Sequence, residues 1–287
     1  MGQTIALLGT KDPRLTKYGT VDFRLRRQTR CYAKQDPAPG RVKPIPFPIL
    51  HHVASRVTGN PNADHATRAK VDMMIIAVFF LMRPGEYCNS TGEAHPFKME
   101  DTRLFSGDRA LDIHTTSAEE LQQASAVHLT FTTQKNAVRG EVIAQGPSGH
   151  PFFCPVKAAA RRLTHLREQQ APQTTPLHMH RSTRGRLEGV TSKDITRLLR
   201  ASIQAIGHHY GVQAKETNVR ALRATGAMAL LNANVDPNAI RLIGRWQSDS
   251  MLRYLHAQAL PNMHTHAQAM LQGGDFALGP PQNPAQG

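Results

Sequence analysis

Cysteine, acidic residues and long apolar runs are all scarce in this sequence. Only three cysteines occur in 287 residues, none at the Cys-x-x-Cys spacing of a zinc site, and their odd number argues against a disulfide framework. Such usage is typical of a protein kept in a reducing compartment. The longest apolar run, residues 73–82, is about half of what a bilayer requires. We therefore expect a soluble, intracellular protein with no membrane partner.

The shortage of acidic residues leaves a large positive charge. There are 21 Asp and Glu against 35 Lys and Arg, a formal net charge of +14, which favours a polyanionic partner such as nucleic acid. On charge alone, a structural protein bound to RNA, of the ribosomal kind, is an alternative. The sequence has 15 histidines, but its pairs at 51–52, 178/180 and 264/266 lack Cys or carboxylate partners at ligand spacing. We expect no metal site.

Three stretches of different character divide the chain. Residues 1–45 mix Arg, Lys, Gly and Pro without hydrophobic periodicity, and the prolines of Lys43–Pro48 favour an extended linker. Periodic apolar patterns fill residues 46–272, which we predict to be the packed domain. The Gly-, Pro- and Gln-rich residues 273–287 are typical of a disordered tail.

A core helix is predicted at the start of the packed domain. Apolar residues between Ala66 and Cys88 recur at the spacing of one buried helical face. Pro84 and Gly85 disturb a helix interior, so the helix should end or kink at Arg83. The Arg83 side chain would then lie at an element boundary, where functional groups are common.

A small antiparallel sheet is predicted next. Apolar and polar residues suggest strands at Ala110–His114 and Val127–Thr133, and the second alternates strictly. Residues 136–140 favour a turn and Glu141–Gln145 a returning strand. Lys135 should therefore lie at or near the tip of a hairpin.

The remainder of the packed domain is predicted to be helical. Helical spacing, first-turn prolines and capping residues indicate five segments: Pro155–Gln170, Ile195–Ile206, Val219–Leu231, a helix from Asp236-Pro237, and residues 249–271. The first of these would carry a basic outer face of Lys157, Arg161, Arg162 and Arg167. The fold class is therefore α+β and mainly α, a helical bundle with a small antiparallel β-sheet or hairpin.

Four short segments carry residues suited to phosphate chemistry. In chain order they are Leu81-Met-Arg-Pro-Gly-Glu-Tyr87, Phe131-Thr-Thr-Gln-Lys-Asn136, Arg220-Ala-Leu-Arg-Ala-Thr-Gly-Ala227 and Leu242-Ile-Gly-Arg-Trp-Gln-Ser-Asp-Ser-Met-Leu-Arg-Tyr254. Their order and content resemble the active-site boxes of the tyrosine recombinase (phage-integrase) family. The details are most similar to recombinases of eukaryotic mobile elements of the DIRS and Crypton types.

The resemblance implies a reaction and a role for each matching residue. Tyr254 would attack a phosphodiester of double-stranded DNA and form a 3′-phosphotyrosyl intermediate, which conserves the bond energy and needs neither metal nor cofactor. Arg83 and Arg223 would hold the non-bridging oxygens. Lys135 would protonate the departing oxygen, and Glu86 would orient its neighbours. The family also implies self-association as a tetramer on DNA, and a nuclear location if the host is eukaryotic.

Three departures from the family pattern leave an alternative open. Arg220 stands where histidine is usual, and a guanidinium that stays protonated cannot act as a base. After Gly244 the chain has Arg245 and then Trp246, either of which could donate to a phosphate oxygen. Residues 1–45 do not suggest a complete core-binding domain. A decayed relative that binds DNA without cutting it is therefore the second hypothesis.

Further basic residues outside the four segments are ambiguous. They could contact a DNA backbone or only face solvent, and the sequence leaves both readings open. These residues are Arg161, Arg162, Lys193, Arg197 and Arg200.

Overall fold

The computed structural model describes residues 12, 14–28, 42–90, 95–132 and 140–246. The chain divides into two units, Met1–Arg41 and Val42–Gly287. In the first unit, residues 23–28 are helical and Leu15 pairs with Val21. The predicted helix at 249–271 and the tail at 273–287 lie outside the described residues.

The described part of the second unit is mainly helical, which confirms the predicted fold class. Its helices are α1 (Phe47–Ser55), α2 (His65–Phe79), α3 (Pro84–Tyr87), α4 (Ala118–Gln122), α5 (Pro155–Glu168), α6 (Ser192–Ile206), α7 (Ala221–Asn232) and α8 (Pro237–Ile243). Its strands are β1 (Thr102–Ser106), β2 (Arg109–Ala110), β3 (Ala126–Phe131), β4 (Glu141–Gln145), β5 (Met179–Arg181) and β6 (Leu187–Gly189). The first four strands form one antiparallel sheet in the order β2-β1-β3-β4, and β5 pairs with β6.

Helix α2 is the centre of the packed domain. Asp64 caps its N-terminus by accepting from the Thr67 backbone N–H at 2.5 Å. Residues on all of its sides are buried, because α5, α6 and α7 pack around it. The helix ends at Phe79 rather than at Arg83, as Leu81 adopts the left-handed conformation with φ 49°. None of the helices among the described residues has the length and apolar content needed to span a bilayer.

The sheet differs from the prediction in its first two strands, β1 and β2. The alternation of Val127, Leu129 and Phe131 does place three buried side chains on one face of β3, and β4 has the predicted bounds. The strand predicted at Ala110–His114 is wrong. Asp112 accepts from the His114 backbone N–H at 2.9 Å and so turns the chain there, whereas β1 earlier in the chain supplies the pairing.

The basic outer face predicted for α5 is also wrong. Arg161 forms an ion pair with the buried Asp72 at 2.6 Å. Arg162 is only 2% exposed and donates to the backbone oxygens of Leu177 and Met179. These two guanidinium groups join α5 to its neighbours and do not face a partner, which decides the ambiguity left by the sequence.

Buried histidines beside Arg162 make stability sensitive to pH. Burial, and next the charge of Arg162, lowers the pKa of His165 and of His178 from 6.5 to about 4. His165 Nε2 and His178 Nδ1 lack hydrogen-bond partners among the described residues. The folded state therefore binds fewer protons than the unfolded chain between pH 6.5 and 4.

We expect the free energy of unfolding to fall as pH drops below 6.5, the ordinary histidine pKa. By about pH 5, each buried imidazole should account for a loss on the order of 2 kcal/mol. Urea denaturation at pH 7.5 and 5.0 measures this loss, and His178→Gln should reduce it. His208→Gln makes the same substitution at an exposed position and serves as the control variant. An equal pH dependence in wild type and His178→Gln would contradict this account.

Candidate functional site

A cleft of about 1130 Å³ lies between α3, α6 and the start of α7. Its lining includes Arg83, Lys193, Arg197, Arg200, Arg220 and Arg223. Among the described residues that line it there is no aspartate or glutamate. A cleft that six cations and no described carboxylate line has a positive potential, which suits a polyanion.

Arg83 is positioned by the short helix that follows it. It is the N-cap residue of α3, and Pro84 is the first helical residue, where the missing N–H costs nothing. Glu86 Oε2 accepts from the Arg83 backbone N–H at 2.8 Å, and Glu86 Oε1 contacts Arg83 Nη1 at 3.3 Å. Because the Arg83 side chain is 29% exposed, its guanidinium is presented to the cleft while its backbone is fixed.

Arg223 joins three of the four segments. It lies in α7, donates from Nη1 to the Leu81 carbonyl oxygen at 3.0 Å and from Nη2 to the Gly244 carbonyl oxygen, and lies 4.2 Å from the centre of the Trp246 ring. Although the residue is only 7% exposed, it lines the cleft together with Arg83. The planar guanidinium is thereby held in one orientation beside the cleft.

Two glycines permit this arrangement. A Cβ at Gly226 would collide with the Val78 carbonyl oxygen and the Leu81 side chain, so glycine lets α7 approach α2 closely. A Cβ at Gly244 would overlap the ring of Trp246. Sequence reasoning noted Gly244 only as a match to the family pattern and gave Gly226 no role, although a glycine inside a helical pattern is a signal of close packing.

The structure separates the two residues that follow Gly244. Trp246 is 8% exposed and lines the cleft. Arg245 is outside the cleft lining, with φ 54° and a side chain 6% exposed, and it binds Glu86 Oε2 through Nη2 at 2.8 Å. Burial lowers the Arg245 pKa, and the carboxylate of Glu86 opposes that shift. Of the two, Trp246 is therefore the one placed to meet a ligand in the cleft.

Arg220 lies at the mouth of the same cleft. It is exposed, immediately precedes α7, and is fixed by its backbone N–H, which donates to Asn218 Oδ1 at 2.9 Å. One turn of helix separates it from Arg223. This placement lets Arg220 add positive charge near a bound phosphate.

Helix α6 supplies the opposite wall. Ile195, Leu199 and Ile203 bury one face of it. The other face turns toward the cleft, with Lys193, Thr196, Arg197, Arg200 and Gln204 at helical spacing. The sequence left the role of the three cations of this wall open, and the polar side chains between them were not identified. The helical period of the buried face does predict that both sets lie on the opposite face.

Lys135 and Tyr254 lie outside the described residues. The strands on either side of the Lys135 segment are present, and Phe131 pairs with Glu141 at the end of β3 and β4 that this segment connects. The described chain reaches Trp246, eight residues before Tyr254. The structure therefore brings together Arg83, Glu86, Arg220, Arg223 and the pair Arg245–Trp246.

No protein-family model matches this sequence, and no curated protein matches it. Among solved structures, the chain is similar to the Tn1549 transposon integrase in complex with transposon right end DNA, at 15% identity and a TM-score of 0.44 over 83% of this chain and 67% of that one. It is also similar to the XerH site-specific recombinase bound to palindromic difH substrate, at 12% identity and a TM-score of 0.48, covering 80% of this chain and 54% of that one. XerA recombinase gives 14% identity and a TM-score of 0.46, covering 93% of this chain and 88% of that one. The chain thus spans about half of the XerH chain.

Proposed function

We propose that this chain breaks and rejoins strands of double-stranded DNA as a tyrosine recombinase, with residues 46–272 as its catalytic domain. The observation that carries the proposal is the meeting of Arg83 and Arg223 in one cationic cleft that no carboxylate lines within the described residues. The two arginines come from distant segments of the sequence, and each guanidinium is held by contacts of its own. Two fixed guanidinium groups at one cleft are suited to a single phosphate.

The proposed reaction is an exchange of phosphodiester bonds. The phenolic oxygen of Tyr254 attacks the phosphorus, a bond to the tyrosine forms, and the bond from phosphorus to the 5′ oxygen breaks. The phenolic proton passes to water, and Lys135 protonates the departing oxygen. Arg83 and Arg223 stabilise the charge on the non-bridging oxygens. The reaction is reversible and uses neither metal nor cofactor.

Arg220 would act on charge and not on protons. Its guanidinium stays protonated at neutral pH and so cannot accept the phenolic proton. Its exposed position at the cleft suits it to stabilise the bound phosphate. Trp246, which covers the Arg223 guanidinium, would hold that group in place and border the phosphate.

The α6 wall is proposed to follow the DNA backbone. Lys193→Gln with Arg197→Gln should lower the slope of log Kd against log salt by about 2 in magnitude, since each cation releases about one counterion. Fluorescence anisotropy with a labelled duplex measures the slope. Arg184→Gln with Arg186→Gln removes the same charge from exposed residues outside the cleft lining and should leave the slope unchanged. Equal slopes for the two double variants would contradict this role for the wall.

Trapping of a covalent complex tests the proposed reaction. The protein is incubated with a 5′-labelled nicked duplex at low salt, with a chelator in place of divalent metal. The expected product is a denaturant-stable protein–DNA band that Tyr254→Phe abolishes. DNA binding without any covalent band would favour the decayed DNA-binding relative. Preference for structured RNA over duplex DNA in competition would favour the RNA-bound structural protein.

The assembly and setting belong to the same proposal. A recombinase of this type would self-associate on DNA as a tetramer, inside the cell where DNA is, and would belong to a mobile element. Sedimentation with and without duplex DNA checks the assembly. A complex with one protomer per duplex at every protein concentration would argue against it.

A further inference from the structure

Arg245 is held by contacts that reach three parts of the fold. Its Nη2 binds Glu86 Oε2 at 2.8 Å, its Nη1 contacts the Phe80 carbonyl oxygen at 3.3 Å, and its guanidinium lies 3.8 Å from the centre of the Phe131 ring. Its backbone has φ 54°, a conformation that costs free energy in a residue other than glycine. The side-chain contacts offset that cost, because they give a buried cation a carboxylate and an aromatic face.

Glu86 is shared between Arg245 and Arg83. Oε2 accepts from Arg245 at 2.8 Å, whereas Oε1 meets the Arg83 guanidinium at 3.3 Å. The carboxylate is 6% exposed, so it requires a close cationic partner. Arg245 is that partner, and this leaves the bond from Glu86 to Arg83 long. In its absence, the buried carboxylate would draw the Arg83 guanidinium inward and satisfy itself with the charge that faces the cleft.

We propose that Arg245 is a positioning residue that neutralises Glu86 and so keeps the Arg83 guanidinium available to a DNA phosphate. This inference rests on the proposed function only in that the cleft binds DNA. It gives Arg245 a role through Glu86 and Arg83 and not through contact with the phosphate. It also explains why this chain carries a buried arginine in the left-handed conformation directly after Gly244.

A cycle of DNA affinities tests the inference without requiring cleavage. Anisotropy with one labelled duplex at fixed salt gives Kd for wild type, Arg83→Gln, Arg245→Gln and the double variant. In the wild-type background, Arg83→Gln should weaken binding roughly 10-fold or more, as expected for loss of a charge-assisted phosphate bond. In the Arg245→Gln background, Arg83→Gln should raise Kd about twofold or less, because the Arg83 guanidinium is then already bound to Glu86. Equal losses in both backgrounds would overturn the inference.

Restoring neutrality provides the rescue. Glu86→Gln combined with Arg245→Gln removes both buried charges, so the affinity should return to within about threefold of wild type. If the double variant binds DNA as weakly as Arg245→Gln does, Arg245 does not act through Glu86. If Arg245→Gln does not fold, Arg245→Lys, which keeps the charge, takes its place. In the Arg245→Lys background, Arg83→Gln should weaken binding as much as it does in wild type. A smaller effect of Arg83→Gln in that background would overturn the inference.

The same measurements separate this inference from the proposed function. Additive effects of Arg83→Gln and Arg245→Gln reject the positioning role and leave the cleft as a DNA site. Unchanged affinity in Arg83→Gln alone rejects both. Where the wild type cleaves, Arg245→Gln at saturating DNA should lower the cleavage rate, and the Glu86→Gln double variant should recover it in parallel with the affinity.

Discussion

Replacing Arg223 with lysine should lower the rate of covalent complex formation by ~10²–10³-fold, the loss typical of removing one donor to a developing oxyanion. The arginine fork reaches the Leu81 and Gly244 carbonyl oxygens, and its guanidinium carbon lies 4.2 Å from the centre of the Trp246 ring. A lysine ammonium is a point charge that cannot reach both carbonyl oxygens and also lie over the Trp246 ring. Single-turnover cleavage of a saturating nicked duplex measures the rate.

Arg220→Lys is the matched control for that experiment. Arg220 is exposed at the same cleft, and its backbone N–H donates to Asn218 Oδ1 at 2.9 Å. Lysine should supply similar charge there, so the rate should change less than about 10-fold. A rate for Arg223→Lys within threefold of wild type would show that the fork geometry of Arg223 is not required.

Replacing Gly226 with alanine should lower the free energy of unfolding by about 2 kcal/mol. Helix propensity alone would make alanine more stable by about 1 kcal/mol. The new Cβ, however, would overlap the Val78 carbonyl oxygen of α2 and the Leu81 side chain, and such overpacking costs about 3 kcal/mol. Leu81 also provides an acceptor for Arg223. The cleavage rate should therefore fall even under conditions in which the variant is fully folded.

Gly146→Ala controls for the loss of glycine itself. A Cβ at Gly146 would meet only the Ser125 carbonyl oxygen, at an ordinary 3.8 Å. Urea denaturation of both variants should therefore separate close packing from chain entropy, with Gly146→Ala changing stability by less than about 0.5 kcal/mol. Greater stability of Gly226→Ala than of wild type would contradict the close approach of α7 to α2.

Local signals made much of the fold predictable. Asp236 followed by Pro237 begins α8 as expected, with Asp236 accepting from the Asn238 and Ala239 backbone N–H groups at 2.8 and 3.2 Å. The strict alternation in β3 and the helical period of α6 predicted which faces are buried. In each case, residues within one or two turns decide the conformation.

Tertiary contacts decided the features that the sequence did not predict. Nothing local to α5 shows that Arg162 donates to backbone oxygens 15 and 17 residues away. The left-handed residue Leu81, which ends α2 early, lies within an apolar run that favours a longer helix. The sequence pattern predicted helices and strands, but it did not predict which charged side chains are buried.

The candidate site was predictable as a set of residues but not as a network. The order of the four segments predicted that Arg83, Glu86, Arg220 and Arg223 would matter, and the structure brings them together. The choice between Arg245 and Trp246 required coordinates, because a backbone with φ 54° directs one side chain to Glu86 and leaves the next at the cleft. A sequence pattern does not show which of these two adjacent side chains faces the cleft.

Strand breakage through Tyr254 is tested by identifying the amino acid that becomes linked to DNA. After trapping on a nicked duplex, nuclease and protease digestion leave a nucleotide-modified peptide that tandem mass spectrometry can sequence. We expect the modification on Tyr254, joined to a 3′ phosphate, and we expect it to disappear in Tyr254→Phe. A nucleotide on another residue, or on none while DNA binding persists, would contradict it.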